Sequence, residues 1–171
     1  RAESLFNKPE NKTYAIYCNI LNCVTEKQLV LKIIEDIRKK TQLSMNDCDS
    51  IEQLCNEIEG MFSKLKVEAM LLLLDETDKY LGSIANNDYV QLQPLIDLKR
   101  RTKNRFKFVL AGLHNVCRAK NATARNGVFG QLGTPLCVKP PSPTDALQLL
   151  SRPLKFLGFQ IDRYPHLETI L

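Results

Sequence analysis

The stretch "MLLLLDETDKYLG", Met70–Gly82, decides the fold. Its apolar residues run without a polar break and end at Asp75, Glu76 and, after Thr77, Asp78. A short, continuous apolar run closed by polar residues predicts a strand buried on both faces, here over Ala69–Leu74. Strands of that kind belong to parallel sheets, so the segments on either side are expected to contain helices that cross from strand to strand.

Upstream, "YAIYCNILN" (Tyr14–Asn22) is apolar and rich in strand formers. Next comes "TEKQLVLKIIEDIRKKT", in which Leu29, Val30, Ile33, Ile34 and Ile37 recur at helical spacing and Thr25 is a candidate N-cap. Residues 42–49 read as a loop. "SIEQLCNEIEGMFSKLK" predicts a second amphipathic helix, started by Ser50 with Gln53 three residues on, as in a capping box.

Downstream, "NDYVQLQPLIDLKRRT" predicts a helix bent or delayed by Pro94, and "RFKFVLAG" a strand that Gly112 closes. A polar stretch with three glycines follows. "TPLCVK" predicts a short strand over 134–139. In "SPTDALQLLSRPLKFLG" Ser142 is the cap, Pro143 lies in the first turn and Asp145 sits near the positive end of the helix dipole. Pro153 is expected to break or kink that helix, and Gly158 to end it. The tail "YPHLETIL" (164–171) begins a further helix. Strands alternating with helices predict a three-layer α/β architecture, a parallel sheet with helices on both faces.

Composition restricts the partners. The net charge is +5, from 24 basic and 19 acidic residues. Six Lys or Arg fall between Lys99 and Lys107. They make a candidate nucleic-acid patch, but no aromatic side chain is interleaved from Lys99 to Arg105, and cations suit a helix C-terminus. A solvated helix end is the favoured reading. No apolar run approaches the roughly 20 residues that span a bilayer, and residues 1–13 show no signal peptide. The six cysteines form no CxxC pair, and several fall at core-like positions. They read as reduced, small hydrophobes in a cytoplasmic protein.

In an open parallel sheet, ligands bind beyond the carboxyl ends of the strands. Asp75 and Glu76 lie at such an end. Two adjacent carboxylates there repel each other unless a cation is near, and magnesium carried on phosphates takes one or two carboxylates. Asp75 is then the metal residue and Glu76 the residue that orients or deprotonates a water, the pattern of a Walker B strand. The next strand ends at Gly112 and presents His114, Asn115 and Arg118 to the same edge.

"LLLLDETDKYL", "RFKFVLAGLHNVCR" and "GQLGTPLCVKPPSPTDALQLLSRPLKFLGFQID" resemble successive blocks of bacterial P-loop ATPases of the STAND and AAA+ kind, over about residues 14–171. The resemblance implies ATP and magnesium as cofactors, Asp75 for the metal, Glu76 for catalysis, and His114, Asn115 and Arg118 as the nucleotide-sensing segment. It implies self-association and effector or sensor domains as partners. "VKPPSP" departs from the family in having a second Pro where Leu is usual.

The larger departure is an absence. None of the seven glycines belongs to a G-x-x-x-x-G-K-[ST] motif, whose backbone N–H groups and Lys cradle phosphates. The family sheet has strand order 5-1-4-3-2, with the phosphate-binding strand as strand 1. The resemblance therefore implies strands 2–5 of a P-loop ATPase core over 1–163, without strand 1, and the start of a helical lid over 164–171. Three functions are left: the nucleotide-hydrolysing core of an ATP-driven switch, a catalytically inactive interaction module on the same scaffold, and a nucleic-acid-binding domain using Lys99–Lys107.

Overall fold

The apolar run at the centre of the chain is strand β2 (Ala69–Asp75), and it is the middle strand of the sheet. The computed structural model describes residues 10, 12–41, 43–122, 127–133, 136 and 138–159. It divides into two compact units, Arg1–Pro135 and Leu136–Leu171. In the first unit β2 is flanked by β1 (Thr13–Asn19) and β3 (Phe106–Leu110), all parallel, in the order β1-β2-β3. Tyr17 lies opposite Leu73 and Asn19 opposite Asp75, while Leu74 lies opposite Leu110. The carboxyl ends of all three strands therefore share one edge.

Helices α1 (Glu26–Thr41) and α2 (Ile51–Lys64) connect β1 to β2. Thr25 Oγ1 accepts from Gln28 N at 3.3 Å while Gln28 Oε1 accepts from Thr25 N at 3.1 Å, a reciprocal capping box. Ser50 caps α2 by accepting from Gln53 N, but Gln53 reaches back to the N–H of Asp49 rather than that of Ser50. Glu26 Oε1 accepts from Ile51 N at 2.7 Å, which ties the starts of the two helices together. Their apolar faces bury Leu29, Ile33, Ile37, Leu54, Cys55 and Ile58.

Between β2 and β3 the chain makes α3 (Asp78–Ile84), two 3-10 turns (Ala85–Asn87 and Val90–Leu92) and α4 (Gln93–Arg101). After β3 come α5 (Asn115–Ala122) and the 3-10 segment Val128–Leu132. The second unit contains α6 (Pro143–Phe156). Among the described residues no helix is long and apolar enough to cross a membrane.

Several boundaries differ from the sequence expectations, each for a local reason. β1 stops at Asn19, three residues early, because Asn19 Oδ1 accepts from Leu21 N and turns the chain. Asp88 and Tyr89 take left-handed backbone, φ +50° and +59°, which postpones the helix expected from residue 87 until Gln93, with Pro94 in its first turn. α3 was not expected, and α5 occupies part of the stretch expected to be polar loop. Pro153 does not end α6. The helix stops at Gly158, φ +83°, where Gly158 N donates to Lys155 O and Phe159 N to Leu154 O in a Schellman arrangement. Of the strand expected over 134–139, Thr134, Pro135 and Cys137 lie outside the described residues, and Leu136, Val138 and Lys139 belong to no strand. The helix expected over 164–171 also lies outside them.

Candidate functional site

The edge where β2 and β3 end holds a dense polar network. Asp75, the last residue of β2, is half-buried. Its Oδ2 accepts from the Tyr17 hydroxyl of β1 at 2.8 Å, and its Oδ1 accepts from Glu76 N at 2.9 Å. The carboxylate is thus fixed by a neighbouring strand and by the turn that follows it. The same bond to Asp75, with desolvation behind it, raises the pKa of the Tyr17 phenol. Glu76 is half-buried and has left-handed backbone, φ +58°, a conformation that costs a non-glycine residue energy and turns the chain sharply off the strand.

Thr77 is buried and binds the end of β3 twice: its N and its Oγ1 both donate to Ala111 O, at 3.0 and 2.9 Å. Asp78, at the start of α3, accepts three backbone hydrogen bonds from the segment after β3. Leu113 N donates to Oδ2 at 2.6 Å, and His114 N and Asn115 N donate to Oδ1 at 2.9 and 2.7 Å. Asn115 Nδ2 in turn donates to Asp78 O at 2.7 Å. Burial opposes ionisation of Asp78, but the N–H groups of Asn115, Leu113 and His114 outweigh it and hold the carboxyl below its usual pKa. Between these partners lies Gly112. A Cβ there would come within 2.6 Å of Asp78 Oδ2 and 2.9 Å of Thr77 Oγ1, so the close approach of the two strand ends requires glycine.

The residues singled out from the sequence fall as follows. Asp75 and Glu76 end β2. His114 and Arg118 sit just before and within the first turn of α5, both with exposed side chains, and Arg118 N donates to His114 O. Asn115 begins α5 and spends its amide N–H on Asp78. Sequence reasoning gives Tyr17, Thr77 and Asp78 no role in the site, and Gly112 only that of closing the strand. The D-E-T-D run was visible, but the partners of its last member lie 35–37 residues away.

The donor set suits magnesium bound with a nucleotide. Asp75 and Glu76 offer hard oxygen ligands at a half-open edge, and Asp75 retains lone pairs beyond its two hydrogen bonds. Among the described residues no group of three or more His, Cys, Asp or Glu forms a cage of its own. A metal held here would take its remaining ligands from phosphates and water.

Three of the six residues of the basic cluster, Arg100, Arg101 and Arg105, make contacts within the fold. Lys99, Arg100 and Arg101 fill the last turn of α4. Arg101 Nε pairs with Glu59 of α2 at 2.9 Å, Arg100 binds Gln131 and Asp97, and Arg105 lies over the Phe62 ring. A groove of about 420 Å³ runs beside β3, lined by Leu71, Lys99, Lys107, Val109 and Gln131 among others, and neither carboxylate lines it. The alternation of β3 explains its position. Arg105 O and Ala111 N bond to β2, so the backbone groups of Phe108 and Leu110 face away from it, and among the described residues β3 pairs with no other strand. Cys18, Cys23, Cys48 and Cys55 are buried thiols and Cys117 is exposed, while Cys137 lies outside the described residues.

No protein-family model matches the chain, and no curated protein matches it in sequence. Among solved structures it is similar to a Walker-type ATPase of Pyrococcus abyssi, with a TM-score of 0.53 and 14% identity over 86% of this chain and 48% of that one. The chain thus spans about half the length of the structure it matches. At that identity the likeness is one of fold, and with three parallel strands in one sheet and helices around it the chain has an α/β, P-loop NTPase-like fold.

Proposed function

We propose that this chain carries the Walker B and sensor elements of an ATP-hydrolysing switch of the bacterial STAND/AAA+ kind, acting in the cytoplasm. The observation that supports this most is the joining of two strand ends. The Asp75–Glu76 turn after β2 and the His114–Asn115 segment after β3 are held together by Thr77 and Asp78.

In this role Asp75 holds magnesium, which when bound neutralises charge on the terminal phosphates. Asp75 reaches it from a position fixed by Tyr17 and by the Glu76 N–H. Glu76 orients the attacking water and takes its proton. His114, Asn115 and Arg118 respond to the terminal phosphate. The phosphate cradle is not among these residues, since no G-x-x-x-x-G-K-[ST] occurs in the 171 residues. ATP binding requires that motif from elsewhere in the protein, seated at the outward edge of β3. A second copy and sensor or effector domains are the remaining partners.

The absence of that motif also favours a second reading, a scaffold that keeps the fold and has lost catalysis. Kinetics of the full-length protein separate the two. Glu76→Gln keeps ATP binding and lowers turnover by roughly 10²–10⁴-fold, because the amide keeps the shape but takes no proton. Asp75→Ala weakens magnesium-dependent nucleotide affinity. Turnover unchanged by Glu76→Gln overturns the hydrolytic assignment. An absence of MgATP binding by calorimetry in the full-length protein leaves the interaction module.

A further inference from the structure

A carboxylate that caps a helix satisfies one or two N–H groups of that helix. Asp78 does more. It stands at the start of α3, three residues after Asp75, and its carboxylate takes the N–H groups of Leu113, His114 and Asn115 at 2.6–2.9 Å. Asn115 returns a bond to the Asp78 carbonyl. One residue earlier, Thr77 fastens Ala111 with both its backbone and its hydroxyl. Gly112, between the anchored residues, leaves no room for a Cβ against Asp78 or Thr77. Ala111 O and the N–H groups of Leu113, His114 and Asn115 are therefore held by the turn that also carries Glu76.

We infer that Asp78 is a positioning residue that couples the Glu76 turn to the His114–Arg118 segment, so that the water-activating carboxylate and the phosphate-sensing side chains move as one body. The coupling rests on the proposed hydrolytic role of the site. Asp78 itself touches no substrate. It sets where the His114 side chain leaves the backbone, and it passes any displacement of α5 back to Glu76 through the α3 start. The carboxylate is needed in particular, because an amide offers one acceptor and turns an N–H donor toward one of the three N–H groups now bound.

The test uses the full-length protein with Glu76→Gln as reference. In Asp78→Asn, kcat falls about 10²-fold while KM for ATP stays within about twofold, the split expected when a transition-state geometry is lost and ground-state binding is kept. Asp78→Ala, which removes both acceptor oxygens without turning a donor toward the loop, also lowers kcat with KM kept, and it answers the same question if Asp78→Asn does not fold. Amide exchange at Leu113, His114 and Asn115 quickens in step with the loss of kcat, with the β1 and β2 amides unchanged. Quickened exchange with wild-type kcat makes Asp78 a helix cap and overturns the coupling, while hydrolysis lost in Glu76→Gln leaves the site standing. Hydrolysis retained in Glu76→Gln removes the site assignment and the coupling with it.

Discussion

The two faces of the sheet are finished to different degrees. On one, Tyr14, Ile16 and Cys18 of β1, Met70, Leu72 and Leu74 of β2 and Phe106 of β3 are buried, and they merge with the apolar faces of α1, α2 and α4 into one core. On the other, Leu71 and Leu73 are half-buried although β2 is the central strand, and Tyr17 and Val109 are 39% and 49% exposed. The candidate site stands on this second face, because Tyr17 and Asp75 follow Ala15, Leu71 and Leu73 in the period-2 alternation of the strands. The scaffold that fixes the carboxylates is thus buried, while the surface they rise from is partly exposed among the described residues.

The largest expected effect measures that contrast within a single strand. Leu72→Ala, on the fully buried face, costs about 2–5 kcal/mol, the usual range for a large-to-small core change. Leu73→Ala, one residue on and pointing the other way, costs no more than about 1–2 kcal/mol, because part of its surface is already in water. Urea unfolding of both variants decides. Equal losses would show that the second face is covered in solution, and the contrast would fail.

The first face was also the more legible one in the sequence. Its strands and helices announce themselves by apolar runs and by the Leu29–Ile37 and Ile51–Phe62 spacings, which are local signals. Asp75 and Glu76 were legible for the same reason, as the polar end of an apolar run. What escaped was held by distant partners or masked by length. α3 is seven residues long, and the only trace it leaves in the sequence is Tyr80, Leu81 and Ile84 on one side. Tyr17 reads as one more strand tyrosine until β1 is set beside β2 and its hydroxyl meets Asp75. Gly112 reads as a strand terminator, whereas its lack of a side chain lets Asp78 reach across. Pairing between segments set these roles, and one-dimensional spacing carries little of it.

A smaller effect tests whether the first face really braces the site. The left-handed backbone of Glu76 is maintained by its surroundings, with the Glu76 N–H turned to Asp75 Oδ1. Glycine adopts that conformation without a Cβ penalty and alanine does not. Glu76→Gly is therefore more stable than Glu76→Ala by about 1 kcal/mol, against the usual order for these residues. Both remove the carboxylate, so the comparison isolates the backbone. A Glu76→Ala variant as stable as Glu76→Gly would mean that the turn relaxes, and that the buried core does not impose its shape on the carboxyl edge.

The smallest effect compares two tyrosines, one belonging to each region. Tyr80, in the core, is 1% exposed and its hydroxyl has no hydrogen-bond partner among the described residues, whereas Tyr17 on the more exposed face donates to Asp75. A buried hydroxyl left unpaired gives back little of its desolvation cost, so Tyr80→Phe leaves stability unchanged or raises it by up to about 1 kcal/mol. Tyr17→Phe removes a made bond, frees Asp75 Oδ2 and lowers the melting temperature. Burial, then the charge of Glu26, pushes the Tyr80 phenol above its usual 10.0. The sign of the pH dependence follows. Above about pH 10 the unfolded chain ionises this phenol while the folded chain keeps its proton, so the native state binds more protons and loses stability as pH rises. Thermal melts from pH 8 to 11 therefore show a steeper alkaline decline in the wild type than in Tyr80→Phe, with the two curves parallel below pH 9. Parallel curves throughout would mean that the phenol is solvated, and that the first face is less closed at α3 than its burial indicates.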